Sequence, residues 1–165
     1  MNATELAEVL GRDYSQQLLQ SAIARVAYTG LDGAPRVIPI GFLWTDGTVK
    51  LYTVPNAPKV KALQADPRVA ITIDTAGMPP RVLLLRGIAT METVEGVPDG
   101  FIEASRGGMP PEMMADWEAG VRALYERMTV ITVTPHWAKL LDFETTIPQA
   151  VAELVAQQGP SDGPH

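Results

Sequence analysis

Apolar residues change their spacing along this chain, and the changes mark out its elements. Over residues 4–10, Leu6, Val9 and Leu10 recur at helical intervals behind Thr4, which predicts a first helix with Thr4 as its N-cap. Gly11 interrupts the pattern, and residues 14–23 read as a second helix. From Arg25 the period shortens to two. Residues 25–29, 36–44 and 49–54 are predicted as strands, divided by the turn Gly30-Leu31-Asp32-Gly33 and the hairpin signal Thr45-Asp46-Gly47-Thr48. Successive short hairpins make an antiparallel meander, not a doubly wound parallel sheet.

Residues 56–67 predict a short helix with Asn56 as N-cap, Pro58 in its first turn and Pro67 closing it. Strands follow at 69–74 and 81–93, with Gly87 at a bend or bulge. The stretch 96–111 is rich in Gly and Pro and reads as an excursion. Residues 111–128 are helical, because Met114, Trp117, Val121, Leu124, Tyr125 and Met128 recur at three- and four-residue spacing. Strands at 129–134 and 138–143 and a helix at 148–157 complete the pattern. Residues 1–157 are expected to form one domain and 158–165 a disordered tail, since the tail has nothing to bury. Six or seven antiparallel strands hide their edges most naturally in a closed or nearly closed barrel.

Composition removes several functions. The chain has no cysteine, so disulfides, thiolate metal sites and a cysteine nucleophile are excluded. Its two histidines, His136 and His165, show no metal-ligand spacing. Net charge is −6 with no basic face, which disfavours nucleic acid. No apolar run is long enough for a membrane helix, and no signal-peptide pattern opens the chain, so a cytoplasmic location is expected.

What remains is a small anionic ligand. The strand 49–54 runs straight into the 56–67 helix, whose first N–H groups lack internal partners and favour an anion. Lys59 and Lys61 are the cations at hand. They are two residues apart and cannot share a helix face, and Lys59 is preferred because it lies in the first turn. Thr53 offers a hydroxyl, and Arg36 at the start of the neighbouring strand offers a second cation. Among other residues, Trp117 is expected in the core, Trp44 at the site or an interface, and His136 and Trp137 in a turn. Glu92, Glu95 and Asp99 read as a solvated face, and Met109, Met113 and Met114 as packing. No residue stands out as a catalytic acid, base or nucleophile.

Ordered features connect these segments. They are the strand 24–29 with its turn Leu31-Asp32-Gly33, the strand Pro35-Arg36-Val37-Ile38-Pro39-Ile40-Gly41-Phe42-Leu43-Trp44, and Leu51-Tyr52-Thr53. Pro58-Lys59-Val60-Lys61-Ala62-Leu63, Asp66-Pro67-Arg68-Val69-Ala70-Ile71, Arg86-Gly87 and Leu141-Asp142-Phe143 follow. In this order and spacing the chain resembles the pyridoxamine 5′-phosphate oxidase-like superfamily, the FMN-binding split barrels. The resemblance implies a mainly β (α+β) fold, a six-stranded antiparallel split β-barrel with flanking helices. It further implies a homodimer with cofactor at the interface. Arg36, Thr53, Lys59 and Lys61 would contact the cofactor phosphate, with Val54 and Pro58 in the same turn. Pro39, Ile40 and Gly41 would lie against its ring.

The chain departs from the oxidase pattern in three places. Pro58 stands where the oxidase has the arginine of an Arg-Lys pair, Val82 replaces a strand glutamine, and no Arg-Leu-Ala-Pro-like end is present. The segments 41–44 and 59–66 look more like the deazaflavin-dependent reductases of the superfamily. The expectation is thus an FMN- or deazaflavin (coenzyme F-420)-dependent oxidoreductase acting on a small molecule. The alternatives are a cofactor- or haem-binding or storage module without turnover, and a structural dimer.

Overall fold

A computed structural model describes residues 1–158. Helices α1 (Ala3–Gly11) and α2 (Asp13–Leu19) lead into strands β1 (Ile23–Thr29), β2 (Pro35–Thr45) and β3 (Thr48–Thr53). Helix α3 (Pro58–Ala65), strands β4 (Arg68–Asp74) and β5 (Val82–Glu95), and helix α4 (Asp99–Arg106) follow. A 3₁₀ turn (Pro111–Met113), α5 (Met114–Leu124), β6 (Arg127–Leu141) and α6 (Gln149–Gln158) complete the order. The strands close into a six-stranded antiparallel barrel in the order β1-β2-β3-β6-β5-β4. Closure comes from β1 against β4, through Arg25↔Thr72, Val26↔Ile71 and Ala27↔Ala70.

Alternation makes the barrel. Val26, Phe42, Leu51, Ile71, Leu83, Leu85, Ile131 and Val133 point inward and are buried in one cluster. Leu18 and Leu19 of α2 pack into the same cluster. The β2–β3 hairpin turns as expected at Asp46 and Gly47, both with positive φ (52 and 71°), the geometry of a type I′ turn. Gly87 lies at a β-bulge: Gly87 pairs with Pro135 while Arg86 pairs with Trp137, leaving His136 as the extra residue. A Cβ on Gly87 would lie 2.6 Å from Val133 Cγ1 and 2.7 Å from the Thr134 carbonyl oxygen, so only glycine fits there without a shift.

Several expectations are corrected. The segments 129–134 and 138–143 are one strand, β6, because Pro135 and His136 form its bulge and not a turn. The α1 N-cap is Asn2, not Thr4. Asn2 and Glu5 form a capping box, with Glu5 N donating to Asn2 Oδ1 at 2.9 Å and Asn2 N donating to Glu5 Oε2 at 2.8 Å. The α3 N-cap is Ala57, not Asn56, and no side chain caps it. Helix α2 stops at Leu19, and Ile23 begins β1. The 96–111 excursion contains α4, which buries Ile102 and Ala104. The 111–128 helix ends at Leu124, and Met128 is a buried residue of β6.

Helices α4 and α5 cover part of the barrel's outer surface and build a second apolar cluster. Tyr52, Val97, Ile102, Ala104, Met114 and Met128 are buried there, with Phe101, Met109 and half-buried Trp117 packed against them. Glu92, Glu95 and Asp99 are exposed, as expected, and Arg122 donates to Asp99 from the solvent side at 2.9 Å. Of the expected tail, Gln158 ends α6, and 159–165 lie outside the described residues. Among the described residues, no helix is long and apolar enough to cross a membrane.

Candidate functional site

Among the cavities that β2 lines, two hold residues expected at the site. The first, about 480 Å³, opens where the β1–β2 turn faces the start of α3. Tyr28 and Arg36, cross-strand partners on β1 and β2, line one side. Asn56, Pro58 and Lys61 line the other. Pro58 occupies the first turn of α3, where its fixed φ suits the helix and its missing N–H costs no hydrogen bond. Beside it, the Ala57 N–H donates to the Val54 carbonyl at 3.1 Å and the Val60 N–H to the Ala57 carbonyl at 2.9 Å.

Arg36 is engaged within this cavity. Its guanidinium donates to Asp32 Oδ2 at 2.6 Å and to the Ala34 carbonyl at 3.3 Å. Arg36 and then the Ala34 N–H hold the Asp32 carboxyl below the usual carboxylate range. Asp32 therefore offsets part of the cavity's positive charge, and an incoming anion would compete with it.

Lys59 does not line this cavity. It is half-buried, and its Nζ donates to Thr53 Oγ1 at 3.2 Å. Burial pushes its pKa down. Thr53 is itself buried and faces Thr129 across β3 and β6, and the Thr129 hydroxyl bonds that of Thr93 at 3.0 Å. A row of polar groups thus continues from Lys59 across three strands. Val54 is half-buried just before the turn, where its carbonyl accepts from Ala57 N at 3.1 Å.

The second cavity, about 340 Å³, lies between β2–β3 and the helices α4 and α5. Ile40 and Gly41 form its barrel side, beside Tyr52, and Phe101, Met109 and Trp117 come from the helical side. A Cβ on Gly41 would sit 3.7 Å from the Ala22 carbonyl oxygen and 4.0 Å from that of Ala104, which is ordinary contact. The fold itself therefore does not require glycine at 41. Pro39 lines neither cavity; it is exposed and pairs with Arg25.

Arg36, Pro58 and Lys61 thus meet in the first cavity, Ile40 and Gly41 in the second, and Thr53 and Lys59 form a separate pair. Ile40 lies four positions beyond Arg36 on β2, roughly 13 Å of extended chain. Tyr28, Tyr52 and Phe101 line these cavities without having been singled out from the sequence. Their only signal was an aromatic residue at a strand end or inside a Gly/Pro-rich stretch. His136 is exposed on the β6 bulge, and Trp137 lies under the Arg86 guanidinium, 4.3 Å from its centre. Among the described residues, no cluster of His, Asp and Glu could hold a metal ion.

No family model matches the chain, and no curated protein matches it. Solved structures do. An F420 reductase superimposes with a TM-score of 0.58 at 21% identity, over 75% of this chain and 94% of that one. A conserved hypothetical protein from Mycobacterium tuberculosis gives 0.58 at 18% identity, over 87% and 86%. A putative pyridoxamine 5′-phosphate oxidase from Listeria innocua gives 0.55 at 18%, over 79% and 97%. At these identities the likeness is one of architecture, and it agrees with the closed barrel and its strand order. The chain has the split β-barrel fold shared by the F420 reductase and the pyridoxamine 5′-phosphate oxidase-like proteins.

Proposed function

We propose that this protein is an oxidoreductase that uses a flavin-type cofactor, FMN or the deazaflavin coenzyme F-420, on a small organic substrate. The observation that carries the reading is the first cavity, where Arg36 and Lys61 converge on the uncapped start of α3. Two cations beside the positive end of a helix fit a phosphate monoester or diester. Lys59, in the first turn of α3 but bonded to Thr53 of β3, lies outside this cavity and acts on it only at longer range. Arg36 would bind the phosphate by exchanging its Asp32 partner for the ligand.

Roughly 13 Å along β2, the backbone from Pro39 to Gly41 offers a strip on which a flat ring can rest, and Gly41 lets it approach closely. Such a cofactor supplies the hydride chemistry when bound. The chain's own contribution is binding, orientation and the exclusion of water. In this reading two copies of the chain form a homodimer, with the partner closing the exposed side at Val37 and Pro39.

The test is titration of the purified protein with FMN and with coenzyme F-420, followed by tryptophan quenching, and then by reduction assays. Micromolar binding of one cofactor supports the reading. Binding with no turnover of any acceptor would instead favour a binding or storage module. Failure of both to bind would overturn it.

A further inference from the structure

The second cavity has its own chemistry. Its volume of about 340 Å³ is within the range of small-molecule sites. The lining is apolar or aromatic, and no Lys, Arg, Asp or Glu contributes to it. An ion entering it would lose hydration without a counter-charge. Tyr52, Phe101 and Trp117 form a run of tilted rings with centroids 6.0 and 5.5 Å apart. Such edges and faces suit another aromatic ring.

Polar groups are few. The Ser105 hydroxyl donates to the Phe101 carbonyl at 2.9 Å and is already satisfied. Tyr52 is different. It is only 8% exposed and lines the cavity. Among the described residues no group hydrogen-bonds its hydroxyl. Burial raises its pKa, so the phenol keeps its proton and is a donor. The hydroxyl packs against Gly100 of α4 without being wholly enclosed, and with no acceptor in the chain it is free to donate to one brought by a ligand.

We infer that this cavity binds a neutral, one- or two-ring aromatic molecule whose carbonyl or ring-nitrogen acceptor takes the Tyr52 hydroxyl hydrogen. That this molecule is the substrate rests on the function proposed above; its binding does not. Because Ile40 and Gly41 line the cavity, the ligand would lie beside the strip assigned to the cofactor ring.

The test uses the full chain without cofactor and a matched pair of probes, 2-acetylnaphthalene and 2-ethylnaphthalene, titrated by calorimetry. The pair differs in the carbonyl and little else. Wild type is expected to bind the ketone roughly three- to tenfold more tightly, the worth of one neutral hydrogen bond. Tyr52→Phe is expected to erase that preference and leave 2-ethylnaphthalene unchanged. Trp117→Ala is expected to weaken both probes. 2-Naphthoate, which is charged, is expected to bind more weakly than the ketone. The inference is overturned if neither naphthalene binds to wild type, if wild type shows no preference, or if the preference survives in Tyr52→Phe. Naphthoate binding as tightly as the ketone, or an unaltered Trp117→Ala, would overturn it too. Without cofactor in the cell, these outcomes are independent of whether FMN or coenzyme F-420 binds.

Discussion

Gly100 gives a prediction whose sign depends on the geometry around Tyr52. It is the second residue of α4, and in a helix alanine is ordinarily better than glycine by about 0.5–1 kcal/mol. If the space beside it were open, Gly100→Ala would therefore stabilise the protein. The structure leaves no such space: a Cβ there would lie 2.0 Å from the Tyr52 hydroxyl oxygen and 2.8 Å from Cζ of the same ring. That ring is hemmed in by Phe101 and by the cluster under α4 and α5, so it cannot swing aside as a flexible chain would. Overpacking of this kind costs about 1–3 kcal/mol. With the helix gain subtracted from the middle of that range, Gly100→Ala should lower stability by about 1 kcal/mol. Tyr52→Phe removes the nearest clashing atom but leaves Cζ, so it should relieve part of the cost. The pair should be coupled by about 1 kcal/mol in a double-mutant cycle. The assay is urea unfolding of wild type, both single variants and the double variant, compared by midpoint at constant slope. A Gly100→Ala protein as stable as wild type, or strictly additive effects, would refute the placement of Tyr52 against α4.

The remaining predictions concern the barrel, the closing loop and the anion cavity. Gly87→Ala should destabilise by about 1–3 kcal/mol in the same unfolding assay, because its Cβ meets Val133 and the Thr134 carbonyl at the bulge. Burial alone raises the pKa of Asp142, but the Thr145 hydroxyl and the N–H groups of Thr146, Thr145 and Glu144 outweigh it and hold the carboxyl well below its usual range. A depressed folded pKa stabilises above the ordinary carboxylate value near 3.9 and is lost as pH falls below it. Wild type should accordingly lose melting temperature as pH drops through that window, and Asp142→Asn should flatten this part of the profile. In the anion cavity Arg36→Ala should weaken binding of a phosphorylated cofactor roughly tenfold or more, measured by titration. Asp32→Asn keeps the acceptor for the Ala34 N–H but removes the competing charge, so it should tighten the same binding.

The barrel was legible because half-buried strands write their period directly into the sequence, as in buried Val69, Ile71 and Ile73 alternating with Arg68, Ala70, Thr72 and Asp74. Asp46-Gly47 announced its hairpin for an equally local reason, two successive positive-φ positions. The errors came where local chemistry is ambiguous. Pro135-His136 carries the same residues whether it is a turn or a bulge, and only the Gly87 partner across β5 decides it. Helix α4 was hidden by the Gly and Pro residues on either side of it. Arg36 and Lys61 could be suspected as cations, but their convergence depends on the register of β1 with β2 and on how α3 packs beside that turn. The second cavity was out of reach altogether. Its wall joins Tyr52 of β3 to Phe101 and Trp117 of a helical segment that no sequence period ties to the barrel.

In the function we propose, the first cavity takes the phosphate of a flavin-type cofactor. A crystal structure of the protein with FMN or coenzyme F-420 bound tests it most directly. Phosphate oxygens are expected within hydrogen-bond distance of Arg36 and Lys61 at the start of α3, with the ring along Pro39–Gly41. A phosphate held elsewhere, with Arg36 still paired to Asp32, would contradict it.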